Sequence, residues 1–108
     1  MPVLEHLQPK NVLHFFEKLS AIPHGSGNTK AISDYCVRFA QSRGLEVHQD
    51  ALNNVIIIKN ASEGYENVPA VIIQGHMDMV CEKEAGCELN MEEDPIQLET
   101  DGQWIWAK

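Results

Sequence analysis

The sequence predicts an α/β fold, and two observations carry that expectation. Two early stretches repeat apolar residues at helical spacing. Two later stretches are short, β-branched and apolar on both faces, as strands are when helices cover both sides of their sheet.

Pro9 suits the first turn of a helix, where its missing N–H costs nothing. Val12, Leu13, Phe16 and Leu19 follow on one face, which predicts a helix over residues 9–20. It must end before Ile22-Pro23-His24-Gly25-Ser26-Gly27, a stretch that no helix tolerates. Asn28 is placed to cap a second helix. Ile32, Tyr35, Cys36, Phe39 and Ala40 form its stripe, and Gly44 stands where a C-terminal cap is needed. Leu45–Asp50 alternates weakly as a first strand, residues 52–54 turn, and Asn54–Lys59 forms a second strand. Residues 60–69 read as a loop by composition. Ala70–Gln74 is a third strand, apolar on both faces. Thr100-Asp101-Gly102-Gln103 reads as a hairpin turn between strands over Gln97–Thr100 and Gln103–Lys108. Trp104 and Trp106 on that last strand need apolar partners, and none follows them, so the chain reads as the first portion of something longer.

Composition narrows the function classes. With 108 residues, the chain has the size of one domain with a modest core. A net charge of −8 repels phosphate backbones, so nucleic acid is not expected as a partner. No apolar run approaches the roughly 20 residues of a membrane span. The N-terminus lacks a basic stretch followed by an apolar one, so no secretory signal is read. Three cysteines, an odd count without such a signal, point to reduced thiols and a cytoplasmic setting. The acidic cluster within Glu82–Asp101 reads as a solvated loop.

Chemistry concentrates at Val71–Val80, VIIQGHMDMV, where a glycine ends a β-branched run and His76 and Asp78 arrive two positions apart. Ligands of open α/β sheets bind beyond the carboxyl ends of strands. Neutral imidazole is a good zinc ligand, and a nearby carboxylate can fix the ring's tautomer and raise its basicity. A plain loop start would also return polar residues here. Cys81 and Cys87 add sulfur ligands, but five residues separate them, against the two to four usual in structural zinc sites. Cys36 reads as core. His24 could line the same crevice or be an ordinary loop histidine. Gly25-Ser26-Gly27 lacks the remainder of a phosphate loop and reads as a turn.

The segment QGHMDM, with its flanks, resembles the first metal-ligand strand of the two-zinc exopeptidases. Within that group the chain is similar to the aminoacyl-histidine dipeptidases, also called Xaa-His or cytosol nonspecific dipeptidases. Ile22-Pro23-His24-Gly25-Ser26, Arg43-Gly44-Leu45, Asn53-Asn54-Val55-Ile56-Ile57, Val80-Cys81-Glu82-Lys83, Asp94-Pro95-Ile96 and Gly102-Gln103-Trp104-Ile105 carry the resemblance over nearly the whole chain. It implies that residues 1–108 are the N-terminal portion of an α/β/α catalytic domain with a mixed sheet, incomplete in this chain. It implies His76 as a zinc ligand, Asp78 as the catalytic carboxylate that orients its ring, and two zinc ions per complete site. The substrates implied are unblocked dipeptides, including Xaa-His. The bridging aspartate, the glutamate pair, a further acidic ligand, a distant histidine and the lid domain through which relatives often dimerise are all expected beyond residue 108. The resemblance therefore makes the rest of the catalytic domain a partner of this chain and leaves room for a homodimeric parent. Glu92 and Glu93 precede the hairpin and are not the missing pair. Two rival readings stand beside this one: a binding module with a structural zinc on His76, Cys81 and Cys87, and an interaction domain without metal.

Overall fold

The computed structural model describes residues 2–108, in the order α1 (Lys10–Ser20), α2 (Lys30–Ser42), β1 (Glu46–Gln49), β2 (Val55–Ile58), β3 (Leu98–Thr100) and β4 (Ile105–Ala107). Two compact units arise: the residues up to Ile32 with Asp78–Lys108, and Ser33–Met77.

In the first unit, Pro9 takes the N-cap position of α1 with extended backbone, and its carbonyl accepts the N–H of Leu13 at 3.1 Å. Leu13 and Leu19 are half-buried, while Val12 and Phe16 are more open than a core stripe requires. Phe16 instead lines an apolar cavity of about 370 Å³ with Leu19, Ile96, Leu98, Ile105 and Trp106. The end of α1 is tied down twice. Ser20 Oγ donates to the Phe16 carbonyl at 2.8 Å, and the Ser20 carbonyl accepts the N–H of Ile96 at 3.0 Å. The second of these bonds fixes the approach to the β3–β4 hairpin, whose register pairs Leu98 with Ala107, Glu99 with Trp106 and Thr100 with Ile105. Asp101 Oδ1 accepts the N–H groups of Gln103 and Trp104 at 2.9 and 2.8 Å, which draws its carboxyl below the usual range. Trp106 Nε1 donates to Glu99 Oε2 at 3.0 Å, giving the indole its polar partner.

In the second unit, α2 ends as the sequence requires. Gly44 has φ +67°, the Leu45 N–H reaches the Ala40 carbonyl at 3.0 Å, and the Gly44 N–H reaches that of Gln41 at 3.0 Å. These are the two bonds of a Schellman cap. Lys30 opens the helix, so it begins two residues beyond Asn28, which belongs to the first unit and donates its side-chain amide to the Glu92 carbonyl of that same unit at 3.1 Å. β1 and β2 form an antiparallel hairpin with Glu46 opposite Ile58 and Gln49 opposite Val55. Its turn is built by Asp50, whose carboxylate accepts the N–H groups of Leu52 and Asn54 and the Asn54 amide, all at 2.9 Å. Those bonds hold the Asp50 carboxyl below its ordinary value. Asn53 takes the left-handed conformation at φ +69°, which asparagine tolerates better than most residues.

One expected element is absent among the described residues. Ala70–Gln74 forms no strand, and Val71, Ile72 and Ile73 are 85, 88 and 96% exposed. The β-branched pattern predicts a strand covered on both faces, but a strand exists only where a neighbour takes its backbone N–H and C=O groups. No described segment lies alongside these residues as a strand. The sheet framework is accordingly two antiparallel ribbons and one isolated parallel bridge, between Gly25 and Met79. Ile56, Ile57 and Ile58 on β2 are likewise uncovered.

Ser33 supplies a test of the second unit. It is fully buried, its Oγ donates to the Asn53 carbonyl at 2.8 Å, and it accepts the Gln49 amide at 2.8 Å. The Gln49 amide keeps a second acceptor on Asp34, whereas the Asn53 carbonyl loses this bond when the hydroxyl is removed. Ser33→Ala is expected to lower unfolding free energy by about 1–3 kcal/mol, read from the urea midpoint at unchanged slope.

Candidate functional site

Asp78 and Met79 begin the second segment of the first unit, and their surroundings are set by backbone pairing. The Met79 N–H donates to the His24 carbonyl at 2.9 Å, and the Met79 carbonyl accepts the Ser26 N–H at 3.2 Å. These two bonds make the parallel Gly25–Met79 bridge. Gly25 is buried there, and a Cβ built on it would fall on Cys81 Sγ. The loop is closed on its far side by the Asn28 N–H on the Gly25 carbonyl at 2.9 Å.

With the loop so fixed, Ser26 Oγ donates to Asp78 Oδ2 at 2.6 Å. That is the short distance of a hydroxyl bonded to an ionised carboxylate. Asp78 is half-buried, whereas His76, two residues earlier, is exposed and belongs to the other unit. His24 is half-buried with its Nδ1 at 2.5 Å from the Ile22 carbonyl, so this ring nitrogen is committed to its own loop. Beside the loop lies a cavity of about 530 Å³ lined by Gly25, Ser26, Asn28, Cys81, Lys83 and Asn90 among others. Lys83 Nζ donates to the Leu89 carbonyl at 2.7 Å across the same segment.

The sequence singled out His76 and Asp78 but not Ser26, which it read as part of a plain turn. Their bond spans 52 residues of sequence and leaves no local signature. The one available signal was Gly25 itself, a small residue where two chain segments must approach closely. The expected strand end before His76 is not formed. The pairing next to Asp78 comes from the Gly25 loop, since Ala70–Gln74 forms no strand.

Imidazole and carboxylate are donor types that zinc accepts, and Asp78 is held by a hydroxyl as supporting carboxylates are. Yet no three His, Cys, Asp or Glu side chains converge to hold an ion among the described residues. The residues present thus fit part of a ligand set. Nor do His76, Cys81 and Cys87 form such a group among the described residues. The Cys81 thiol lies against Gly25, and Cys87 sits in a turn closed by its N–H on the Glu84 carbonyl at 3.1 Å. All three cysteines are free, and burial pushes the Cys36 thiol up.

Comparison with known proteins bears on what this arrangement is for. No protein-family model matches the chain. The cytosol non-specific dipeptidase of Escherichia coli (strain K12) is 35% identical over all 108 residues, which correspond to 22% of that protein. A solved structure, the aminoacylhistidine dipeptidase from Vibrio alginolyticus, superposes with a TM-score of 0.89 at 38% identity, over 97% of this chain and 21% of that one. The chain resembles these dipeptidases along its whole length. It spans about a fifth of the length of the relatives it matches. The likeness read from QGHMDM and its flanks is thereby borne out, and so is a partial α/β domain of the dipeptidase fold. No helix is long and apolar enough to cross a membrane among the described residues.

The bridge makes its own prediction. Gly25→Ala should lower the urea midpoint, and Cys81→Ala in that background should restore it, because the shortened side chain removes the atom in the way and leaves its Cβ at ordinary contact distance. Cys81→Ser, which keeps an atom there, should not.

Proposed function

We propose that this chain forms the N-terminal portion of the catalytic domain of a zinc-dependent dipeptidase acting on unblocked dipeptides, Xaa-His among them, in the cytoplasm. The observation that carries the reading is whole-chain similarity to two dipeptidases, together with an Asp78 carboxylate engaged by Ser26 two residues beyond His76. In this reading the remaining ligands and the proton-accepting group lie outside residues 1–108. The exposed row Val71–Ile73 supports it, since three consecutive β-branched residues this open are what a central strand looks like without its neighbours. The remainder of the catalytic domain would supply those neighbours.

Within the chain, His76 would hold zinc through one ring nitrogen. Asp78 would accept the N–H of the other, fixing the tautomer and making the ring a better ligand. A carboxylate has room for about four hydrogen bonds, so accepting Ser26 on Oδ2 leaves capacity for that ring. When bound, zinc supplies Lewis acidity toward the scissile carbonyl and a water of lowered pKa. The Gly25–Met79 bridge keeps the carboxylate in place while substrate enters.

The test uses the full-length protein that carries this sequence. Hydrolysis of a His-containing dipeptide should be lost with a chelator and restored by zinc. His76→Ala should lose zinc and at least a hundredfold in activity. Residues 1–108 alone should show no turnover. Zinc-dependent turnover by that fragment, or full zinc content in His76→Ala, would refute the reading.

A further inference from the structure

We propose that Ser26 is a positioning residue for Asp78, setting through it the strength of the metal site. The inference rests on the dipeptidase reading above and goes beyond it, since similarity to those enzymes says nothing of this hydroxyl. Ser26 Oγ lies 2.6 Å from Asp78 Oδ2. What distinguishes this contact from an incidental surface bond is how the donor is held. The Ser26 N–H is bonded to the Met79 carbonyl, and the Met79 N–H to the His24 carbonyl, so serine and aspartate sit on the two sides of one parallel bridge. Gly25, between those anchors, is buried against the Cys81 thiol. The Asn28 N–H closes the loop onto the Gly25 carbonyl, and the Asn28 side chain donates to the Glu92 carbonyl at 3.1 Å. Backbone bonding thus sets where the hydroxyl is.

A carboxylate that orients a metal-bound imidazole works only if it is itself oriented. One Asp78 oxygen engaged by Ser26 restricts rotation of the carboxylate about its last bond. The ring partner then meets a fixed acceptor. Removing the hydroxyl leaves the backbone bridge intact and takes away this one restraint. Groups of this kind typically change metal affinity or activity by tenfold to a hundredfold.

The experiment compares full-length wild type, Ser26→Ala, Ser26→Thr and His76→Ala. Zinc affinity is measured by competition with a chromogenic chelator, beside the melting temperature of the metal-free protein. Ser26→Ala is expected to weaken zinc binding by about tenfold or more at unchanged metal-free melting temperature, and Ser26→Thr, which keeps a hydroxyl, to regain most of it. Wild-type zinc affinity in Ser26→Ala would overturn the proposal. So would equal losses in the alanine and threonine variants, or a loss accompanied by a lowered metal-free melting temperature, since either marks a purely structural role. His76→Ala separates the two levels: retained zinc there sinks the metal-site reading itself, whatever Ser26 does.

Discussion

Two hydrogen bonds between the His24–Ser26 loop and Met79 organise the surroundings of Asp78. Beside them the Cys81 thiol occupies the space a Cβ on Gly25 would take, while the Met79 carbonyl would stay at an ordinary 3.9 Å. From that contact the rest follows by geometry. Ser26 is brought to Asp78, and His24 is turned toward its own loop at Ile22. The end of α1, bonded through Ser20 to Ile96, runs into the same loop and carries the β3–β4 hairpin with it. A methyl group at position 25 would therefore have to displace the Cys81 thiol.

The second constraint is the cost of an unpaired strand. Backbone amides and carbonyls must bond to something, and a β-branched run provides only side chains. Val71–Ile73 has the side chains of a buried strand and lacks a paired neighbour among the described residues. β2 meets the same difficulty more mildly, since β1 satisfies one of its edges while Ile56 stays 61% exposed. Hairpins succeed here because each closes locally on a turn residue, Asp50 in one case and Asp101 in the other.

Legibility in the sequence divides along the same line. The Gly44 cap, the Asp101-Gly102 turn, the α2 stripe and the β1–β2 hairpin were readable because each is decided within a few residues by backbone sterics and short-range bonding. His76 and Asp78 stand out as a proposed pair because metal chemistry constrains residue type and spacing. Ser26 was not: its role depends on a partner 52 positions away, and a serine between two glycines looks like any turn. The openness of Val12 and Phe16 was hidden for a related reason. Periodicity tells which face a helix would bury but not whether another element covers it.

The central proposal is that His76 binds zinc in a nitrogen- and oxygen-ligated site that Asp78 supports and the cysteines do not enter. X-ray absorption at the zinc edge of the zinc-loaded full-length protein tests this most directly. The account predicts a first shell of nitrogen and oxygen near about 2.0–2.2 Å with imidazole scattering behind it, lost in His76→Ala. A sulfur shell near about 2.3 Å, or a spectrum unchanged in that variant, would contradict it.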